Sequence, residues 1–504
     1  MKYLLPRSEV IKSIDPKWVD VLPLHDNHEV EELTAFDLLT SERFDIMANY
    51  LFAKLHLLDV AEDWGVKLFK EVRNIMGLRQ TNHCDPNLRD EEDEDVKELL
   101  RLLTDHCINK EMRPIPVGQD NIIIDGANQV AAGLLFDQTL STIKFDIKPA
   151  QYNYQYFLKN GLEQEIADAM VLEYCRLCPN MFVVVVFPIT TGRNDEINET
   201  LKEYGQIHYE KEISFTELGR YNLIRLLYFN MHWIGDDSEI TYGVCHHVEN
   251  RFWNNGTAKF IFLKFHDPAQ VLEAKSRLRA LFDLKNFSIH INDTHEETVW
   301  IAEHILSTNN IFFLNNAQPW LSRKFCGALL KFHQMIEKEG LDKSNLCVTG
   351  SPVLAGFGLR DVNQIDYLTF GEHFISTMDL QNDVIQRKVI PESVITDDLI
   401  YDPRYYFYYR GIKFVALPLL REIKLFEVNN KFIKTIHLID SLNADFPNVY
   451  RIIRNIRFAI KKTSAKISHF RITDIKTILP KFIKPLVKWA YQLIFNRNAK
   501  NNDS

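Results

Sequence analysis

What this chain lacks narrows its class before any motif is considered. It contains no run of about 18 apolar residues, so no membrane-spanning helix is expected. The apolar stretch Phe182 to Phe187 is far too short to cross a bilayer and reads as a strand buried on both faces. The N-terminus, Met-Lys-Tyr-Leu-Leu-Pro-Arg-Ser-Glu, lacks the apolar core of a signal peptide. Cysteine is scarce. The seven residues (Cys84, Cys107, Cys175, Cys178, Cys245, Cys326 and Cys347) are odd in number and irregular in spacing. These absences favour a reducing cytoplasm. No disulfide or metal staple is required either, because a chain of 504 residues, 46% apolar and 25% charged, can bury a large core unaided. At about 100–200 residues per domain it divides into three or four.

Acids are nearly missing from residue 446 onward. That tail carries 13 lysines and arginines against Asp474 and Asp503, a charge of +11, while the rest of the chain carries −20. So large a split implies that the two ends meet different surfaces. In the tail, Val449, Ile452, Ile453, Ile456 and Ile460 form one helical stripe opposite Arg451, Arg454 and Lys461, and a second stripe follows from Ile478 to Ile494, interrupted at Pro485. A basic amphipathic helix of this kind lies in an anionic membrane interface or packs on the acidic body. Nucleic acid is disfavoured, since the tail has no recognisable binding motif.

Along the rest of the chain, residues 1–80 read as mostly helical, with apolar residues at helical spacing over Phe36 to Leu55 and Val60 to Met76. An acid run at 85–98 reads as a solvated loop leading into a helix. Residues 175–320 read as a middle α/β segment whose buried strand, Phe182 to Phe187, leads into a polar loop at Thr190 to Asp195, the position where open α/β sheets bind ligands. His290, Asp293 and His295 are close enough for a metal or catalytic cluster, but Asp293 or Thr294 as a helix cap, with Glu296 and Glu297 in the first turn, explains the same residues. Cys175-Arg-Leu-Cys178 has metal-like spacing without a second pair.

Residues 346–368 are the most informative. An apolar strand, Leu346 to Val348, runs into Gly350-Ser351, and a second strand carries Asp366 between Ile365 and Tyr367. Glycine lets a backbone approach a triphosphate, a serine hydroxyl hydrogen-bonds it, and acids on the next strand hold Mg²⁺ against it. This layout resembles the nucleotidyltransferases of the DNA polymerase β superfamily, whose signature is Gly-Ser followed about ten residues later by Asp-x-Asp. Here Gln364 stands where the first acid is expected. The resemblance implies that Gly350 and Ser351 cradle a nucleoside triphosphate, that Asp366 ligates Mg²⁺ with Asp361 as second ligand, and that Arg360 neutralises phosphate charge. Downstream, Tyr405 to Tyr409, Gly411 and Ile412 to Leu417 read as a β-hairpin that offers Lys413 and no third acid.

A second resemblance covers residues 110–150. Strand, turn, strand, Asp125-Gly126 and helix is similar to the ParB/sulfiredoxin-like fold, whose Asp-Gly-x-His-Arg motif binds phosphate at a helix start. Asn128-Gln129 replaces the His-Arg pair, and Gly126 remains as a nucleotide-binding candidate. The pairing of the two segments resembles uncharacterised bacterial proteins of surface-polysaccharide assembly. The expected fold is therefore a multidomain α/β (α+β) chain: helical N-terminus plus ParB-like α+β segment (1–174), middle α/β domain (175–320), nucleotidyltransferase-like mixed sheet (321–445) and basic amphipathic helical tail (446–504). Two functions stay open. One is Mg²⁺-dependent nucleotidyl or phosphoryl transfer to a saccharide or lipid-linked intermediate. The other is a catalytically degenerate nucleotide-binding or scaffold protein, cytoplasmic and peripheral on the inner membrane.

Overall fold

The computed structural model describes residues 2–77, 97, 99–101, 103, 113–190, 192–235, 239–282, 284–322, 324–371, 374–379, 385–389, 396–426, 430–442 and 449–469. The acid run up to residue 96, Cys84, Cys107 and the tail beyond 469 lie outside these residues. The fold is mixed α/β, with three sheets in succession along the chain.

The first sheet contradicts the expectation of a helical N-terminus. It is built from β1 (Lys2–Pro6), β2 (Asn27–Thr34), β3 (Ile115–Val117) and β4 (Thr139–Lys144) in the order β1-β2-β4-β3. Two of its strands lie within the first 34 residues. β2, Asn-His-Glu-Val-Glu-Glu-Leu-Thr, is too acidic to announce itself as a strand, yet Val30 is fully buried and Glu31 pairs with Lys2 and Lys144 on the flanking strands. A short helix, Arg7–Ser13, separates β1 from β2, and the long helices expected from the sequence follow Phe44: Asp45–Leu58 and the amphipathic Glu62–Ile75.

The second sheet holds β5 (Met181–Val186), β6 (Gly205–Ile213), β7 (Ala258–Phe265) and β8 (Ile289–Ile291), ordered β6-β7-β5-β8, and every pairing is antiparallel. Helices cross after β5 and after β7, which is the split-βαβ plan, with the Glu217–Leu227 and Tyr242–Arg251 helices inserted between β6 and β7. All six residues of β5 are buried, as the unbroken apolar run requires. The expected ligand loop after β5 loses its rationale, because the strand-end rule belongs to parallel sheets.

The third sheet is six-stranded: β9 (Leu346–Thr349), β10 (Gln364–Thr369), β11 (Phe374–Asp379), β12 (Ile385–Val389), β13 (Tyr406–Tyr409) and β14 (Ile412–Val415) in the order β12-β11-β10-β9-β14-β13. Only β14 and β9 run parallel, so the sheet is mixed. The Phe325–Glu339 helix buries Phe325, Ala328, Leu329, Phe332, Met335 and Ile336 against it at three- and four-residue spacing, and stops at Gly340 with φ 64°. Arg410 (φ 53°) and Gly411 (φ 71°) make the two-residue hairpin turn between β13 and β14, the backbone such turns need. One hydrophobic core runs continuously beneath the first two sheets, and a second lies under the third.

The tail helix, Val449–His469, docks on the body. Its inward side differs from the apolar stripe read from the sequence. Arg454 and Phe458 are buried, whereas Ile456 and Ile460 are 44% and 49% exposed. The reason is local. Arg454 donates to the Asn316 carbonyl, at the end of the Thr308–Asn316 helix, a favoured place for a cation. Phe458 packs on Trp320 and Tyr221, and Lys462 and Lys466 reach Glu217 and Glu249. Phe458→Ala is expected to cost about 3 kcal/mol in urea unfolding, while Lys462→Ala, at a largely solvent-facing pair, is expected to stay within about 0.5 kcal/mol. Equal effects would remove the docking assignment.

Candidate functional site

β9 and β10 set the geometry of the sequence motif. Their antiparallel register pairs Thr349 with Asp366, so Asp366 lies beside the chain as it turns at Gly350. Gly350 has φ 72°, and a Cβ there would stand 2.9 Å from Asp366 Oδ2. Only glycine fits both the backbone and the close approach. Ser351 is half-buried, and its hydroxyl is engaged by no described residue. Asp366 Oδ1 accepts from Gln364 Nε2 at 2.9 Å and from Thr377 Oγ1 at 2.8 Å. Gln364 therefore does not merely replace an acid; its amide occupies one oxygen of the acid that remains. The β10–β11 register sets Asp379 directly opposite Gln364.

Asp361 does not join Asp366. Its Oδ1 accepts from Ser322 Oγ (2.8 Å), Lys324 N (3.1 Å) and Val362 N (3.2 Å). Although partial burial opposes ionisation, these donors hold its carboxyl below the ordinary value. Gly358 is equally structural: a Cβ would meet the Gln318 carbonyl oxygen at 2.3 Å. Arg360 is exposed, without an ion pair to any described residue. Mg²⁺ chemistry of the Asp-x-Asp type needs acids aimed at one point. Gln364 is a neutral amide and Asp361 is committed elsewhere, so these residues do not fit such a centre. Among the described residues no three His, Cys, Asp or Glu side chains group as a metal site.

Gly126 is likewise accounted for. It opens the Ala127–Leu135 helix at φ 95°, but its amide donates to Asp125 Oδ1 at 2.8 Å. Asp125 Oδ2 in turn accepts from Trp18 Nε1 (2.7 Å) and Lys17 Nζ (2.9 Å). Burial pushes this carboxyl up, yet the Lys17 and Trp18 donors more than offset that and leave it below its ordinary value. Asn128 is buried and accepts from Asn49 Nδ2, and Gln129 Nε2 donates to the Arg113 carbonyl. The residues in the His-Arg positions are thus engaged by neighbouring side-chain and backbone groups. The other cluster separates too. Thr294 caps the His295–Ile305 helix, Asp293 pairs with Lys275, and His295 Nε2 lies 2.7 Å from the Cys175 carbonyl oxygen. Cys175 and Cys178 are buried, and burial pushes both thiols up.

The structure also assembles a constellation that no local pattern announced. Lys54 Nζ lies 2.7 Å from Glu173 Oε2, and Arg176 reaches Glu173, Glu303 (3.0 Å) and the Tyr408 hydroxyl (2.8 Å). These residues line a cavity of about 380 Å³ between the Asp45–Leu58 helix, the Gln164–Leu177 helix and the β13–β14 hairpin. Glu173 and Glu303 diverge in character. Burial raises both, but Glu173 is bound by two cations and falls to about 2, whereas Glu303 is bound by Arg176 and only more weakly favoured by Lys413, and stays above its ordinary value. Lys413 on β14 lines the same cavity and is 5% exposed. Its Nζ donates to the Ser344 (2.7 Å) and Ile400 (2.6 Å) carbonyls. Burial, helped by Arg176, pushes it down to about 7. Ser344 precedes β9 and Gly350 follows it, so cavity and glycine turn sit at opposite ends of a four-residue strand, roughly 13 Å long.

Comparison with protein families, with curated proteins and with solved structures returns no match to this chain.

Because Lys413 is held partly neutral in the fold, the unfolded chain binds more protons between its folded value of about 7 and the ordinary 10.5. Its burial penalty is full below that window and vanishes above it. The stability of the wild type relative to Lys413→Met is therefore expected to rise by ~1.4 kcal/mol per pH unit across the window. Urea unfolding at a series of pH values measures this, and a pH-independent difference would refute the assignment.

Proposed function

We infer that the chain is a nucleotidyltransferase-like protein that binds a nucleoside triphosphate at the Gly350–Ser351 turn without transferring it, and that it serves as a nucleotide-responsive scaffold in bacterial surface-polysaccharide synthesis. One observation carries this reading. Asp366 stands against Gly350 with its Oδ1 occupied by the Gln364 amide and the Thr377 hydroxyl, so the acid beside the glycine-serine turn has one oxygen already engaged and no second acid at position 364. The free Ser351 hydroxyl and the positive φ of Gly350 support anion binding there. A transfer enzyme is the second reading, favoured by Asp379 lying opposite Gln364 in register. Its two acids would be Asp366 and Asp379, its acceptor a saccharide or lipid-linked intermediate.

Calorimetric titration with each nucleoside triphosphate, with and without Mg²⁺, separates the readings. Wild type is expected to bind one of them, Gly350→Ala to lose tenfold or more in affinity, and neither to release pyrophosphate. Pyrophosphate release abolished by Asp366→Ala and by Asp379→Ala would establish the enzyme. Absence of any triphosphate binding would remove both readings.

The scaffold acts, on this reading, in the cytoplasm at the inner membrane surface. No helix among the described residues is long and apolar enough to cross a membrane. Ile456 and Ile460 project outward one helical turn apart beside exposed Arg457, which suits an anionic lipid interface. Flotation with anionic vesicles is expected to fall several-fold in an Ile456→Asp, Ile460→Asp variant, and unchanged partitioning would exclude this surface.

A further inference from the structure

The cavity between the first helical layer and the β13–β14 hairpin is independent of the glycine turn, and its charges do not balance locally. Lys54, Glu173, Arg176 and Glu303 satisfy one another, and Glu165, the third acid of the lining, faces Arg404. Lys413 does not share in this. Buried cations need a counter-charge, yet its two partners are neutral carbonyls, and no described carboxylate forms an ion pair with it. Around it stand Arg176 and Glu173 from the Gln164–Leu177 helix, Glu303 from the His295–Ile305 helix, the Cys347 thiol of β9, and the Tyr401 and Tyr406 rings at 5.0 and 4.9 Å. Both glutamates are already bound to Arg176. Lys343, the residue before Ser344, lines the same end of the cavity, half-buried and without an ion pair to any described residue. The opposite wall is apolar, formed by Leu51, Leu55, Leu58 and Trp64. A volume of about 380 Å³ lies within the range of small-molecule sites and holds roughly a dozen waters.

We propose that this cavity binds a small amphiphilic anion, a carboxylate or phosphate monoester on an apolar or aromatic body, whose charge supplies the counter-ion for Lys413 and Lys343 while its body lies against Leu55, Leu58 and Trp64. The anion makes the charged form of Lys413 favourable, so binding above neutral pH draws one proton from solvent. The ligand is metabolite-sized, since the apolar wall is only a few side chains long. It is not the triphosphate inferred for the glycine turn, which lies beyond the far end of β9.

Calorimetry of the full chain with octanoate, phenyl phosphate and acetate tests this. At a pH above 8, octanoate or phenyl phosphate is expected to bind with one-to-one stoichiometry, at least tenfold tighter than acetate. The heat should depend on buffer ionisation enthalpy, reporting proton uptake of up to one per ligand. Lys413→Met is expected to abolish the proton uptake and to weaken binding at least tenfold. Lys343→Met, at a half-exposed position that tolerates replacement, should weaken binding and keep the uptake. Gly350→Ala should change neither, which separates a failure here from a failure at the glycine turn. Failure of both amphiphilic probes to bind at millimolar concentration overturns the proposal. So does acetate binding as tightly as octanoate, or wild-type binding with no buffer dependence.

Discussion

The Arg176 guanidinium is the point on which the architecture turns. It binds Glu173 on its own helix, Glu303 on the His295–Ile305 helix and the Tyr408 hydroxyl on the β13 strand, while Glu173 holds Lys54 from the Asp45–Leu58 helix. Four segments spread over more than 350 residues are thus joined through one planar cation. Removing one member of such a buried set leaves the others desolvated without a partner, at a cost on the order of 3–5 kcal/mol. The fork of an arginine suits this role better than a lysine, because its donors diverge in fixed directions. Packing then follows from the charges. The ion pairs lie on the wall of the cavity that these segments enclose.

Much of the fold was legible because its signals are local. The Phe325–Glu339 helix carries its apolar residues at regular spacing, Phe182 to Phe187 is a strand by composition alone, and Arg410-Gly411 marks a hairpin. Gly350 beside an acidic strand was legible for the same reason. β2 was not, since its six polar residues among eight conceal one buried valine, and Glu31 depends on lysines from β1 and β4 for its counter-charge. The tail helix is legible as amphipathic, but not which side turns inward, because the Asn316 carbonyl that receives Arg454 and leaves Ile456 and Ile460 outward lies 138 residues away.

Motif residues divide by whether their polar atoms are already engaged. Gly358 and Asp361 look like part of a phosphate loop in sequence, yet one accommodates the Gln318 backbone and the other caps the turn at Ser322. Gly126 presents its amide to Asp125, and His295 meets a carbonyl of the neighbouring helix. Each has a structural partner that accounts for its place in the fold. Ser351 and Lys343 have atoms still free to bond, and those are the positions where chemistry has room. This distinction is invisible in a single sequence, because, Gly126 apart, the engaging partners lie tens to hundreds of residues away.

The same argument explains why Lys413 carries the burden of the cavity. Glu173 and Glu303 are the acids whose charge reaches Lys413, and Arg176 binds both. What satisfies the hub therefore deprives the lysine. Burial and the neighbouring guanidinium oppose its charge, and two carbonyls hold its amine in position without neutralising it. If stability alone shaped the site, a methionine or leucine of similar volume would remove the desolvation cost and satisfy the apolar neighbours. A buried amine held at the wall of a cavity, beside a second unpaired lysine and facing an apolar surface, is a costly arrangement for packing and a suitable one for an anion that arrives from solvent.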